Sequence, residues 1–262
     1  MTAPNIRLGS RSSTGGRSII ATWISRQLPS IPYREPFAGV GGVLAAIDSD
    51  RPRYAADLDP EPIAMLTALR DRPSTMLNAI KDAWWVMPEH YTHPHDWRGW
   101  IDEWLDYLKT IDPAAAYWLR WRVGYGGRLI FATFYRSQMK LSIRAKILTQ
   151  MWAFSDRLQG VELVGGVDWE TALDRPGDAV FYLDPPDRDL ICGIEPITAP
   201  HCRSIDWTKL SSRLRKESRP WLLTVAAKDE HRDRFIFGHH HLHQTTFGNT
   251  YLIISNFELP RP

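Results

Sequence analysis

Between Tyr33 and Leu58 the chain reads strand, glycine turn, helical run, strand, and that order leaves few folds open. Tyr33 to Phe37 leads into Ala38-Gly39-Val40-Gly41-Gly42, a backbone free to turn sharply, and Val43, Leu44 and Ile47 continue as an apolar helical run. Arg53 to Leu58 then reads as a second strand ending in Asp57 and Asp59. A helix from Pro60 or Pro62 to about Arg70 follows, proline being suited to a first helical turn. This βαβ opening predicts an α/β sheet.

From Asp71 to about Ala153 the pattern turns helical, with Trp97, Trp100, Ile101, Trp104, Leu105 and Leu108 recurring at helical spacing, a stripe expected to pack in a core and bind nothing. Strand signals return at Val161 to Val164, Ala179 to Leu183, Trp221 to Ala226 and Leu252 to Ile254, with a helix expected over Asp206 to Lys216. The organisation expected is therefore a sheet domain built from 1–70 and 154–262, interrupted by a helical insertion over 71–153. At 262 residues the chain has room for one such domain with a sizeable core.

Composition excludes several classes. With 44% hydrophobic and 24% charged residues and a mean hydropathy of −0.32, this is neither a disordered nor a fibrous chain. Apolar stretches such as Trp221 to Ala227 and Tyr251 to Ile254 fall far short of the roughly 20 residues of a membrane helix, so no span is expected. Met1 to Gly16 has no apolar core of a secretory signal, which leads to the expectation of a cytoplasmic protein. Cys192 and Cys202 are read as reduced thiols, with one bridge as the lesser alternative. His239, His240, His241 and His243 resemble a metal cluster, but neighbouring positions point to different sides and no cysteine or acid stands at ligand spacing, so no metal is expected. The mixed run Lys228 to Arg234 reads as a solvated loop or helix face.

Net charge is only +2, yet it is unevenly spread. Between Pro113 and Ser155 there is no acidic residue, while Arg120, Arg122, Arg128, Arg136, Lys140, Arg144 and Lys146 alternate with Trp118, Trp121, Tyr125, Phe131, Phe134 and Tyr135. Two readings stand level: a surface for phosphates and bases, or a solvated helix face with an aromatic core side.

Two motifs carry chemistry. In Glu35-Pro36-Phe37-Ala38-Gly39-Val40-Gly41-Gly42 the glycines let backbone approach a ligand, and Asp57, 18 residues after Gly39 at a strand end, stands where a carboxylate can accept from ribose hydroxyls. Together they suggest an adenosine-containing ligand. In Val180-Phe181-Tyr182-Leu183-Asp184-Pro185-Pro186-Asp187 an apolar strand feeds a rigid Asp-Pro-Pro turn. The Asp184 carboxylate and the Pro185 carbonyl could each take one hydrogen of a nucleobase amine and so localise its lone pair.

These segments resemble Dam-type DNA adenine-N6 methyltransferases. Ser13-Thr14-Gly15-Gly16-Arg17, the glycine motif, Asp57, Arg122-Val123-Gly124-Tyr125-Gly126-Gly127, Asp168, Asp184-Pro185-Pro186 and the closing run Asn249 to Phe257 occur in that family's order. The resemblance implies a Rossmann-like S-adenosylmethionine-dependent methyltransferase sheet with a helical target-recognition insertion, and duplex DNA as partner. It implies that Ser13 and Arg17 border the methionine end of S-adenosylmethionine, that Pro36, Phe37, Gly39 and Gly41 line the cofactor, and that Asp57 holds its ribose. It further implies Asp168 near the adenine and Asp184 near both the amino acid part and the target amine. Arg120, Arg122, Arg128, Arg136 and Lys140 would contact phosphates, with Tyr125 reading or wedging bases.

The chain departs from the pattern at Arg17, where lysine is usual, at Ser13, where an aromatic is usual, and at Asp187, which replaces the Tyr, Phe or Trp that ends the catalytic motif. The expected activity is methyl transfer to adenine N6. The alternatives are a DNA-binding relative without catalysis, or an enzyme of the same fold acting on cytosine N4 or a modified base.

Overall fold

The apolar runs at Val180–Leu183 and Trp221–Ala226 pair as parallel strands buried on both faces, which is why they show little alternation in sequence. They belong to a seven-stranded mixed sheet in a computed structural model that describes residues 16–48, 50–85, 97–123, 141–186, 205–244 and 250–259. Its strands are β1 (Tyr33–Glu35), β2 (Arg53–Asp57), β3 (Val161–Gly165), β4 (Val180–Leu183), β5 (Trp221–Ala226), β6 (His239–Gln244) and β7 (Thr250–Ser255), in the order β3-β2-β1-β4-β5-β7-β6. The first five run parallel, and β7 is antiparallel to both β5 and β6. The chain is thus an α/β protein compatible with a Rossmann-like fold, with the strand order reversing between β1 and β4.

Nine α-helices occur among the described residues: α1 (Gly16–Gln27), α2 (Pro60–Asp71), α3 (Pro73–Trp85), α4 (Trp97–Ile111), α5 (Pro113–Val123), α6 (Leu141–Leu158), α7 (Trp169–Asp174), α8 (Trp207–Lys216) and α9 (Asp229–Arg234). Asp59 starts α2 by accepting from the Glu61 N–H at 2.9 Å, with Pro60 in the first turn. Strand alternation divides the core in two. Tyr33, Val180, Tyr182, Leu222 and Ile253 face a large cluster with residues of α1 to α6; Phe181, Leu183, Trp221, Leu223 and Ile254 face a smaller one with Leu173 of α7 and Leu210 and Leu214 of α8.

The helical stretch after Asp71 continues the same core as the sheet: Trp104, Leu105 and Leu108 of α4 and Trp118 and Leu119 of α5 are buried in the large cluster. The side chains of Trp97, Trp100 and Ile101 lie outside the described residues. Four elements differ from expectation. The apolar run after the glycine turn forms only a 3-10 turn, Leu44–Ala46, and Ile47 is already extended. The next residues, Asp48, Asp50, Arg51 and Pro52, favour turns, and the residue before a proline is pushed out of the helical region. Helices α1 and α7 and strand β6 have no counterpart in the sequence reading, and no described helix is long and apolar enough to cross a membrane.

Candidate functional site

The strand order reverses between β1 and β4, and the carboxyl ends of the strands at such a switch point are where ligands of open α/β sheets bind. The loop leaving β1 lies at this end of the sheet. Gly39 and Gly41 have φ of +47° and +70°, values that L side chains rarely adopt. At Gly41 a Cβ would also lie 3.1 Å from Leu66 Cδ2, whereas at Gly39 it would meet nothing within 4 Å. Only the space over the loop would be filled by a side chain at Gly39. Pro36 is buried and Phe37 half-buried against the smaller cluster.

Asp57, at the end of β2, holds this loop. One carboxylate oxygen accepts the Gly39 N–H at 2.8 Å and the other accepts the Asp59 N–H at 3.0 Å, while the Ala38 N–H donates to the Ala56 carbonyl at 2.9 Å. These bonds orient the Asp57 carboxylate beside the glycine turn.

Asp184, half-buried, and Pro185, buried, follow directly on β4, the strand next to β1, and Pro186 follows half-buried. Asp184 and Asp57 both act electrostatically on Glu35, the last residue of β1, so the carboxyl groups of three adjacent strands converge at the switch point. Glu35 is 2% exposed, and Tyr33 Oη donates to its Oε2 at 2.7 Å. Asp168, exposed, follows β3 and caps α7, accepting from the Thr171 N–H at 2.8 Å. Those bonds from the first turn of α7 hold its carboxyl below the usual range against a small opposing effect of burial.

The remaining sequence assignments divide. Arg17 lies on α1 and Arg122 on α5, with side chains outside the described residues, and Arg120 is half-buried on α5. Ser13, Tyr125, Arg128, Arg136, Lys140 and Asp187 also lie outside them. Trp118 and Trp121, two of the aromatics interleaved with the basic residues, are 0% and 3% exposed and pack edge-on with each other and with Phe154 of α6. For those two the core-side reading is correct and base contact is not. Of the histidines, His241 stacks on Trp23 of α1 and His243 packs tilted against it, and His240 Nε2–H donates to the Phe235 carbonyl.

Sequence reasoning missed Glu35 as a site residue, although a carboxylate two positions after Tyr33 on a buried strand is itself a signal. It also missed Thr224 of β5, fully buried, whose hydroxyl has no hydrogen-bond partner among the described residues. The pair Leu183 and Leu223 puts Asp184 and Thr224 one register step further along adjacent strands.

Compared with protein-family models the chain matches none, and compared with curated proteins it matches none.

Proposed function

We propose that this chain is a DNA methyltransferase that moves the methyl group of S-adenosylmethionine to N6 of adenine in duplex DNA. The observation that carries the reading is Asp184-Pro185-Pro186 leaving β4 at the switch point of the sheet, beside a glycine loop tied to Asp57. The order β3-β2-β1-β4-β5 is that of dinucleotide-type folds, and the antiparallel β7 beside β5 suits the methyltransferase sheet that the resemblance implies.

The residues fit the cofactor on structural grounds. Among the described residues nothing covers the left-handed Gly39, Asp57 is oriented beside it, and the Thr224 hydroxyl, one residue past the Leu183–Leu223 pair as Asp184 is, has no hydrogen-bond partner. When bound, S-adenosylmethionine supplies a methyl group already activated by its sulfonium, so the chain contributes position and electrostatics. Asp57 would take hydrogen bonds from the ribose. The Asp184 carboxylate and the Pro185 carbonyl would each accept one hydrogen of the adenine amine, turning its lone pair toward the methyl carbon. Asp184 would also be placed to accept the proton that the amine gives up on methylation. Two prolines fix the direction of the carbonyl and add no competing N–H.

A second reading, a DNA-binding relative without catalysis, is favoured by Asp187, which lacks the ring expected to stack on the flipped base. Incubation with labelled S-adenosylmethionine and duplex DNA, followed by nucleoside analysis, separates the readings. N6-methyladenine supports the proposal, a labelled cytosine or modified base redirects it, and cofactor binding with no transfer leaves the silent relative.

A further inference from the structure

Strand β6 is the outer edge of the sheet, and alternation sets His239, His241 and His243 on the face where Tyr251 and Ile253 of β7 meet the large core. Helix α1 packs on that core, burying Ile20, Ala21 and Ile24 in the same cluster. Toward β6 its contact is made by rings. Trp23 stacks on His241 with centroids 5.2 Å and planes 17° apart, and meets His243 at 5.1 Å and 40°. The two imidazoles lie 6.5 Å from each other, and all three rings are half-buried. One indole therefore bridges both histidines.

Neutral, the three rings pack as aromatic surface. A single imidazolium can also lie against the indole, whose face attracts a cation. A second one would stand 6.5 Å from the first at a site partly shielded from water, where like charges repel. The surrounding elements do not offset it. Gly16–Gln27, His239–Gln244 and Thr250–Ser255 contain no Asp or Glu, and among the described residues neither imidazole has a hydrogen-bond partner. The titratable and charged groups toward the pair are His239 on the same face of β6, Tyr251 of β7 opposite His243, and Arg26 of α1, one turn after Trp23 and itself a cation. Burial, first, and His241, second, hold the His243 imidazole below its ordinary range, which acts in the same direction.

We propose that Trp23, His241 and His243 form an acid-released latch: α1 stays seated on β6 while the pair of imidazoles holds at most one proton, and a second proton, taken from solvent, unseats Trp23. Once Trp23 has lifted, the imidazoles are hydrated and take up protons as ordinary histidines do, at a pH of about 6.5. A base that binds its proton more weakly in the seated state lends that state stability above this value and withdraws it as pH falls. The equilibrium between seated and unseated α1 therefore shifts by up to about ten-fold per pH unit below about 6.5, one proton being the limit. Arg17 lies on the same helix, so the latch would act on the cofactor end assigned to it, but the inference stands without that assignment.

Hydrogen exchange of the full chain between about pH 7.5 and 5, corrected for the intrinsic effect of pH, reads the opening of α1 directly. The expected result is that α1 amides lose protection by up to about ten-fold per pH unit while those of β4 and β5 keep theirs. In His243→Gln, whose amide takes no proton, α1 should be as protected at the upper pH as in the wild type and should stay so in acid. Protection of α1 that does not change with pH, that falls together with β4 and β5, or that falls equally in His243→Gln overturns the inference. Should His243→Gln fail to fold or leave α1 unprotected at the upper pH, the imidazole proton resonances of the wild type decide. Uptake of the second proton in step with loss of α1 protection supports the latch, and two histidines that both become charged while α1 keeps its protection overturn it.

Discussion

Asp57 carries two loads at the end of β2, and a substitution can separate them. Its carboxylate satisfies the backbone N–H groups of Gly39 and Asp59, so Asp57→Ala leaves two donors without their acceptor and should cost about 1–3 kcal/mol of stability, read by urea unfolding without ligand. If it also accepts ribose hydroxyls, calorimetry should show S-adenosylmethionine binding weakened by about 1.5–3 kcal/mol beyond what unfolding explains. A stability loss with unchanged affinity would make Asp57 a loop tether only. On the proposed function, Asp187 is the residue on which activity would turn. A stacked ring holds a base with about 1–3 kcal/mol, so Asp187→Tyr should raise transfer to adenine roughly ten-fold or more. Transfer that stays absent or falls after the change would end the weakened-enzyme account. The glycine turn, Asp57 and Asp184 were legible because their chemistry depends on residue type and spacing. Glu35 and Thr224 were not, because their interest comes from burial and from neighbours on other strands.

At the level of elements, the parallel strands were readable since strands buried on both faces appear as apolar runs, whereas β6, His239–Gln244, is half-exposed and rich in a residue with no strand signature. The joints between elements were not readable at all. Arg219 shows why: its guanidinium donates to the Leu173 carbonyl at 2.6 Å and the Arg175 carbonyl at 3.0 Å at the end of α7, and Arg34 of β1 reaches the Arg175 and Pro176 carbonyls. These cations satisfy carbonyls that a helix end leaves open. Glu217, following α8, holds Arg219 and Arg213. Burial alone would raise the Glu217 carboxyl, but hydrogen bonds from the Arg219 side chain and backbone and from Arg213 outweigh it and bring it to about 2. A carboxyl depressed from its ordinary 4.5 adds stability above that value, and the contribution is lost as pH falls toward 2. Glu217→Gln should therefore cost on the order of 3 kcal/mol near neutrality, with the gap from wild type narrowing to about half or less as pH drops from 5 to 3. A gap that stays constant over that range in urea unfolding would show that charge is not what Glu217 contributes.

Across the whole molecule, hydrophobic periodicity said which residues of the helical stretch are buried but not against what, and the core of α3 to α6 proves continuous with that of the sheet. Charge is distributed differently from the core. The stretch 113–155 holds seven cations and no anion, in a chain whose net charge is +2, so everything outside it is net negative by five. Such polarity orients a molecule toward a polyanion through one region and away from it elsewhere. With Trp118 and Trp121 committed to the core, aromatic contact with bases does not come from those two rings, and the phosphate role rests on the cations. Each phosphate neutralised releases condensed counterions, and log affinity for duplex DNA falls against log salt with a slope of about −0.9 per contact. Replacing Arg128 and Arg136 together by alanine should flatten that slope by about 1.8 if both contact phosphate, and should weaken binding alike for unrelated sequences, because phosphate contacts carry no sequence information. Fluorescence anisotropy with a labelled duplex over a salt series gives the slope directly. An unchanged slope would move the DNA surface to another part of the molecule and return the segment to a solvated helix face.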